Sequence, residues 1–185
     1  MEALLKALGI DGMYGLATQT IGFIALAVCM TAYQMKTQKK IMLMQIVSCT
    51  LFAIHFLMLG QKGYTGAMLN CIAAIRSVVF ANKDKKWGKS NWWMVFFSAV
   101  CVIAVAFTWT GYLSLLPMAG MILTTISWGI EKASLVRLIS LPSSPLWIIY
   151  NFASGSMAGV TTEVFVMISI ITAIIRLDIL PKKQK

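Results

Sequence analysis

The sequence predicts an all-α integral membrane protein, with seven transmembrane helices arranged as two parallel three-helix repeats joined by a linker helix. Three observations predict it. Charged residues make up 12% of the 185 residues and hydrophobic ones 59%, whereas a soluble domain carries about 25% charge. The apolar residues fall into runs near the ~20 residues that a spanning helix needs. The basic residues gather in the short segments between alternate runs, as they do on the cytoplasmic side of a membrane.

Residues 1–12 lack the long apolar core of a cleavable leader. Leu4, Leu5 and Leu8 recur at helical spacing and Glu2 and Lys6 stand four apart, which predicts a short helix at the membrane surface. Segment one runs from Tyr14 to Met35, segment two from Ile41 to Leu59 and segment three from Tyr64 to Ala81. Together they form the first bundle, residues 13–82. A basic linker and segment four, Trp92 to Thr110, make up residues 83–110. Segment five (Tyr112 to Ile130), segment six (Ala133 to Phe152) and segment seven (Met157 to Leu180) make the second bundle, residues 111–180, ahead of a basic tail at 181–185.

The net charge of +10 is spread over short loops and forms no nucleic-acid module. If the loops after segments one, three and five share a side with the C-terminus, fourteen of the sixteen basic residues lie there. Lys6 and Lys62 alone lie opposite. This predicts an outside N-terminus and a cytoplasmic C-terminus in a plasma membrane. Trp92, Trp93, Trp109 and Tyr112 bracket segment four as interfacial aromatic residues do.

Laying residues 111–155 on 16–60 aligns segment five with one and six with two. Ser143 then meets Ser48, Leu146 meets Leu51, Ile149 meets Ile54 and Gly155 meets Gly60. A two-residue deletion in the next turn brings Gly159 onto Gly66 and Glu163 onto Asn70. With one span between them, both triplets enter the membrane in the same direction, as parallel repeats do.

Chemistry concentrates in Pro145 to Arg176. Glu163 is the one acidic residue well inside an apolar run, and an ionisable group in hydrocarbon is costly enough to mark a candidate site. Its hydrogen-bonding partner is expected from another span, with Asn70, His55, Tyr150 and Asn151 as candidates. These five form the expected substrate site. Each also has a structural reading, because buried amides, histidines and carboxyls serve as interhelical hydrogen bonds. Asn70 lies on a small-residue stripe with Gly66, Ala73, Ala74 and Ser77, where helices approach closely. Pro117, Pro142 and Pro145 interrupt helical hydrogen bonding and are expected either as static kinks or as hinges. Arg76 and Arg176 lie near cytoplasmic span ends, and snorkelling to the interface is expected of both. Cys29, Cys49, Cys71 and Cys101 show no metal-ligand spacing, and no cofactor is expected. Without a nucleophile–base pair, phosphate loop or carboxylate pair, enzyme activity has little support.

The run Asn151, Gly155-Ser156, Gly159, Glu163 and Arg176 resembles the C-terminal half of the YgjV-like bacterial inner-membrane family. The resemblance extends from segment one onward. More distantly, three-one-three spans with an outside N-terminus are similar to the PQ-loop class, which includes SWEET sugar transporters, PnuC vitamin transporters and the KDEL receptor. That resemblance implies two three-helix bundles around a central pathway, with a polar residue on the third helix of each. Asn70 and Glu163 match those positions, although the chain lacks a Pro-Gln pair and has no proline in its first triplet. The expected function is a small polar solute transporter in the lipid bilayer. The alternative is a non-transporting receptor or scaffold. Substrate and oligomeric state, a homo-oligomer included, stay open.

Overall fold

The computed structural model describes residues 12–33, 38–130 and 133–179. The predicted N-terminal surface helix, part of the first basic loop and the basic tail lie outside them. The described chain is helical, with no strand among the described residues. Its helices are α1 (Gly12–Tyr33), α2 (Gln38–Met58), α3 (Tyr64–Phe80), α4 (Trp92–Phe107), α5 (Leu115–Gly129), α6 (Ala133–Ser140), α7 (Ser143–Ser154) and α8 (Met157–Ala173). Short 3₁₀ turns precede α3 and α5, and α8 continues in wider π turns over Ile174–Ile179.

Among the described residues, Gly12–Ala32, Lys39–Met58, Gly60–Phe80 and Met157–Arg176 are long and apolar enough to span a membrane. Trp92–Phe107 is shorter, reaching about 24 Å at ~1.5 Å per residue. Exposed Trp92, Trp109 and Tyr112 flank it. The surface inverts that of a soluble protein. Phe23, Leu43, Ile54, Ile75, Ile103 and Ile168 are exposed, while Gln19, Gln45, Ser48, His55, Arg76 and Asn151 are buried. Lipid accepts the first set without penalty, and the second set needs protein partners.

Segment six was expected as one span and is two helices. α6 stops at Ser140 and α7 begins at Ser143. Prolines explain the break. Pro142 is the N-cap of α7, and Pro145 lies in its first turn, where the missing N–H has no helical acceptor anyway. Pro117 likewise falls in the first turn of α5 and is fully buried. Of the three expected hinge prolines, only Pro142 and Pro145 therefore mark a break.

α2 packs against α1 and α3, and α7 packs against α5 and α8. α1 also meets α8, and α3 meets α5. Close approach depends on glycine at two matched places. A Cβ on Gly66 would lie 2.8 Å from Cδ1 of Phe56, and one on Gly159 would lie 2.6 Å from Cγ of Asn151. The turns that follow α2 and α7 pass through Gly60 (φ 69°) and Gly155 (φ 80°), in the left-handed region that L side chains rarely adopt.

Candidate functional site

A cavity of about 460 Å³ lies among α1, α2, α3, α5, α6, α7 and α8. Small-molecule sites typically measure about 300–1,000 Å³. Phe52, Phe56, Met121, Trp128 and Trp147 give it apolar walls, and Gln45, Ser48, Asn70, Thr124, Ser140 and Asn151 add hydrogen-bonding groups. Both sides of the broken segment contribute, Arg137 and Ser140 from α6 and Ser143 and Ser144 from α7. Irregular backbone at membrane depth is tolerated where it lines such a cavity.

Three of the five expected site residues line this space, namely Asn70, Asn151 and Glu163. Asn70 Nδ2 donates to the Gly66 carbonyl at 2.9 Å, which leaves its carbonyl oxygen for another donor. Asn151 is buried and its Oδ1 has no hydrogen-bond partner, so an acceptor stands unused beside the cavity. The neighbour that Glu163 meets on another helix is none of the four expected candidates. Its carboxyl lies beside the side chain of Ser144, in the first turn of α7. A helix N-terminus is a favourable place for a carboxylate.

His55 and Tyr150 lie outside the cavity lining. Their hydrogen bonds join helices instead. His55 is fully buried, with Nδ1 2.8 Å from the Thr18 carbonyl and Nε2 2.7 Å from the Ser156 hydroxyl. A carbonyl only accepts, so Nδ1 carries the proton and Nε2 accepts from Ser156. Ser156 in turn caps α8 by accepting from the Gly159 N–H. α1, α2 and the start of α8 are thereby tied through one imidazole. The Tyr150 hydroxyl accepts from the Gly66 N–H at 2.8 Å and donates to the Lys62 carbonyl at 3.0 Å. That ties α7 to the start of α3. Gln19 adds a further link, from α1 to the Gly155 carbonyl at 2.8 Å.

Arg76 is the residue that sequence reasoning missed. Arg176 is exposed, whereas Arg76, expected to snorkel, is only 5% exposed and lines the cavity. Its hydrogen bonds all leave from Nη1, to Thr125 and, at 3.5 Å each, to the Met121 carbonyl and Thr124. The guanidinium stands 5.2 Å over the Trp128 ring. Nε is buried without a partner. Its signal in the sequence was its place on the same helical face as Ala73 and Ser77, the stripe already marked for close packing.

An apolar exterior and, among the described residues, four helices long and apolar enough to span a bilayer define a helical membrane protein. The chain belongs to Imp-YgjV, a family of bacterial inner membrane proteins whose model matches residues 16–180. The chain is therefore a bacterial inner-membrane protein, as its resemblance implied. No curated protein matches it, and no solved structure does.

Proposed function

We propose that the protein carries a small polar solute across the membrane, through the cavity between two three-helix repeats. The observation that carries this reading is the pairing of the cavity's residues. In the register that lays residues 111–155 on 16–60, lining residues pair with lining residues. Gln45 pairs with Ser140, Ser48 with Ser143, Phe52 with Trp147 and Phe56 with Asn151. After the two-residue deletion, Asn70 pairs with Glu163 and Arg76 with Ser169. A space on an axis relating two repeats is where transporters of repeated architecture hold their substrates.

The helix ties support the same reading. His55 and Tyr150 occupy equivalent positions, and each reaches the start of the other repeat's third helix. The α1–α8 and α3–α5 contacts exchange under the same operation. The break at Pro142 lies beside the cavity, between the lining residues Ser140 and Ser143. Glu163 and Asn70 would hold the solute's donor and acceptor groups, with Asn151 supplying a further acceptor.

Counterflow in liposomes containing the purified chain, screened over labelled small polar solutes, tests the reading. The expected result is uptake of at least one solute that Glu163→Gln abolishes while the protein stays folded. Binding without passage would favour a receptor and end the transport reading. Orientation has its own test. With the basic loops cytoplasmic, reporter fusions should place the N-terminus outside and the C-terminus inside. Both termini on one side would remove the seven-span arrangement.

A further inference from the structure

Among the described residues, Arg76 stands in the cavity lining without a counter-ion. Among the same residues, the carboxyl that lines this space is that of Glu163. That carboxyl lies beside Ser144 at the first turn of α7. Among the described residues no carboxylate lies within ion-pair distance of Arg76, whose acceptors are one carbonyl and two threonine hydroxyls. Neutral oxygens and the Trp128 face reduce the cost of burying a charge, but they do not balance it. A buried ion with no opposite charge is among the most expensive groups a protein can hold. Nε has no acceptor at all. The guanidinium is a planar fork that holds two oxygens of one carboxylate or phosphate side by side. Threonine oxygens occupy the Nη1 side, and the Nε side has no such partner.

We infer that the solute is a small organic anion whose carboxylate or phosphate oxygens take up the free side of Arg76. This rests on the solute-cavity reading and names the substrate class. Phe52, Met121 and Trp147 would surround the solute's carbon skeleton. Asn70, six residues before Arg76 on α3, would meet the solute's uncharged polar end. Anion binding would supply the missing opposite charge, so the occupied protein would be more stable than the empty one.

The test uses matched pairs of probes on the full chain in a maltoside detergent, which has no phosphate of its own. Benzoate is compared with benzyl alcohol, and glycerol 3-phosphate with glycerol, by isothermal titration and by the shift in unfolding temperature. In wild type, at least one anion should bind ten-fold or more tightly than its neutral partner and raise the unfolding temperature. The pair that responds separates carboxylate from phosphate recognition. Arg76→Gln should lose that preference, and Arg76→Lys should keep part of it. Should Arg76→Gln fail to fold, the wild-type pairs and Arg76→Lys still decide. Equal binding of both members of each pair would overturn the anion inference and leave the solute cavity standing. A preference that persists in folded Arg76→Gln would overturn it as well. If no probe binds, the anion inference falls, and counterflow alone decides the solute reading.

Discussion

α1–α3 and α5–α8, the two halves of the proposed repeat, share a pattern of close contacts and differ in their polar groups. In each, a glycine on the last helix is pressed against the helix before it, Gly66 on Phe56 and Gly159 on Asn151. In each, a left-handed glycine turns the chain between those two helices. What sits at the matched positions differs in kind. Phe56 is an aromatic residue among His55, Trp147 and Tyr150, whereas Asn151 leaves an acceptor open. α2 runs unbroken, and its counterpart is cut between α6 and α7. Arg76 lies on α3, and Arg137 and Glu163 lie on α6 and α8. Packing is thus held in common while the polar groups diverge. Backbone approach has few solutions, whereas lining chemistry varies freely around them.

The largest test of that comparison is steric. Gly66→Leu should prevent recovery of folded protein, because Phe56 is buried among aromatic neighbours and has nowhere to move. Even the smaller overpacking of Gly66→Ala should cost about 1–3 kcal/mol. Monodisperse yield from gel filtration measures the first, and thermal unfolding in detergent measures the second. Tolerance of leucine at Gly66 would remove the shared packing plan.

The two ties come next and should be unequal. His55→Ala removes bonds to Thr18 and Ser156 together with a buried ring, and should cost about 2–4 kcal/mol. Tyr150→Phe removes only a hydroxyl and should cost about 1 kcal/mol, because interhelical hydrogen bonds in membranes average ~0.6 kcal/mol. Unfolding temperatures in one detergent compare them directly. Equal losses would mean that the His55 ring contributes no more than the Tyr150 hydroxyl with its two bonds.

The smallest stability effects should fall on the polar pair in the cavity. Glu163→Gln keeps the shape and a group that can hydrogen-bond beside Ser144, so stability should stay within about 0.5 kcal/mol while solute uptake falls ten-fold or more. Asn70→Ala loses the bond to the Gly66 carbonyl, costing about 0.6 kcal/mol, and should weaken solute affinity less than Glu163→Gln does. If Glu163→Gln lowers the unfolding temperature and leaves uptake unchanged, the carboxyl is structural and the equivalence with Asn70 is one of packing alone.

The sequence by itself determined the class of protein and most of its helix boundaries, because both follow from local composition. A bilayer has one thickness, so apolar run length reads directly as a span, and Tyr64 and Met157 begin α3 and α8 where the runs begin. Glu163 stood out for the same reason, as a carboxyl in an apolar run. Only the tertiary structure decided which polar groups meet. Arg76 looked like a snorkelling residue because its distance along the helix was known and its direction was not. Its burial depends on Thr124, Thr125 and Trp128 of α5, some fifty residues away in the chain. His55 and Tyr150 looked like site residues because depth in the membrane was all that the sequence disclosed. Ser156 and Gly66 took their hydrogen-bonding groups for helix joining, and no local pattern records a choice made across helices.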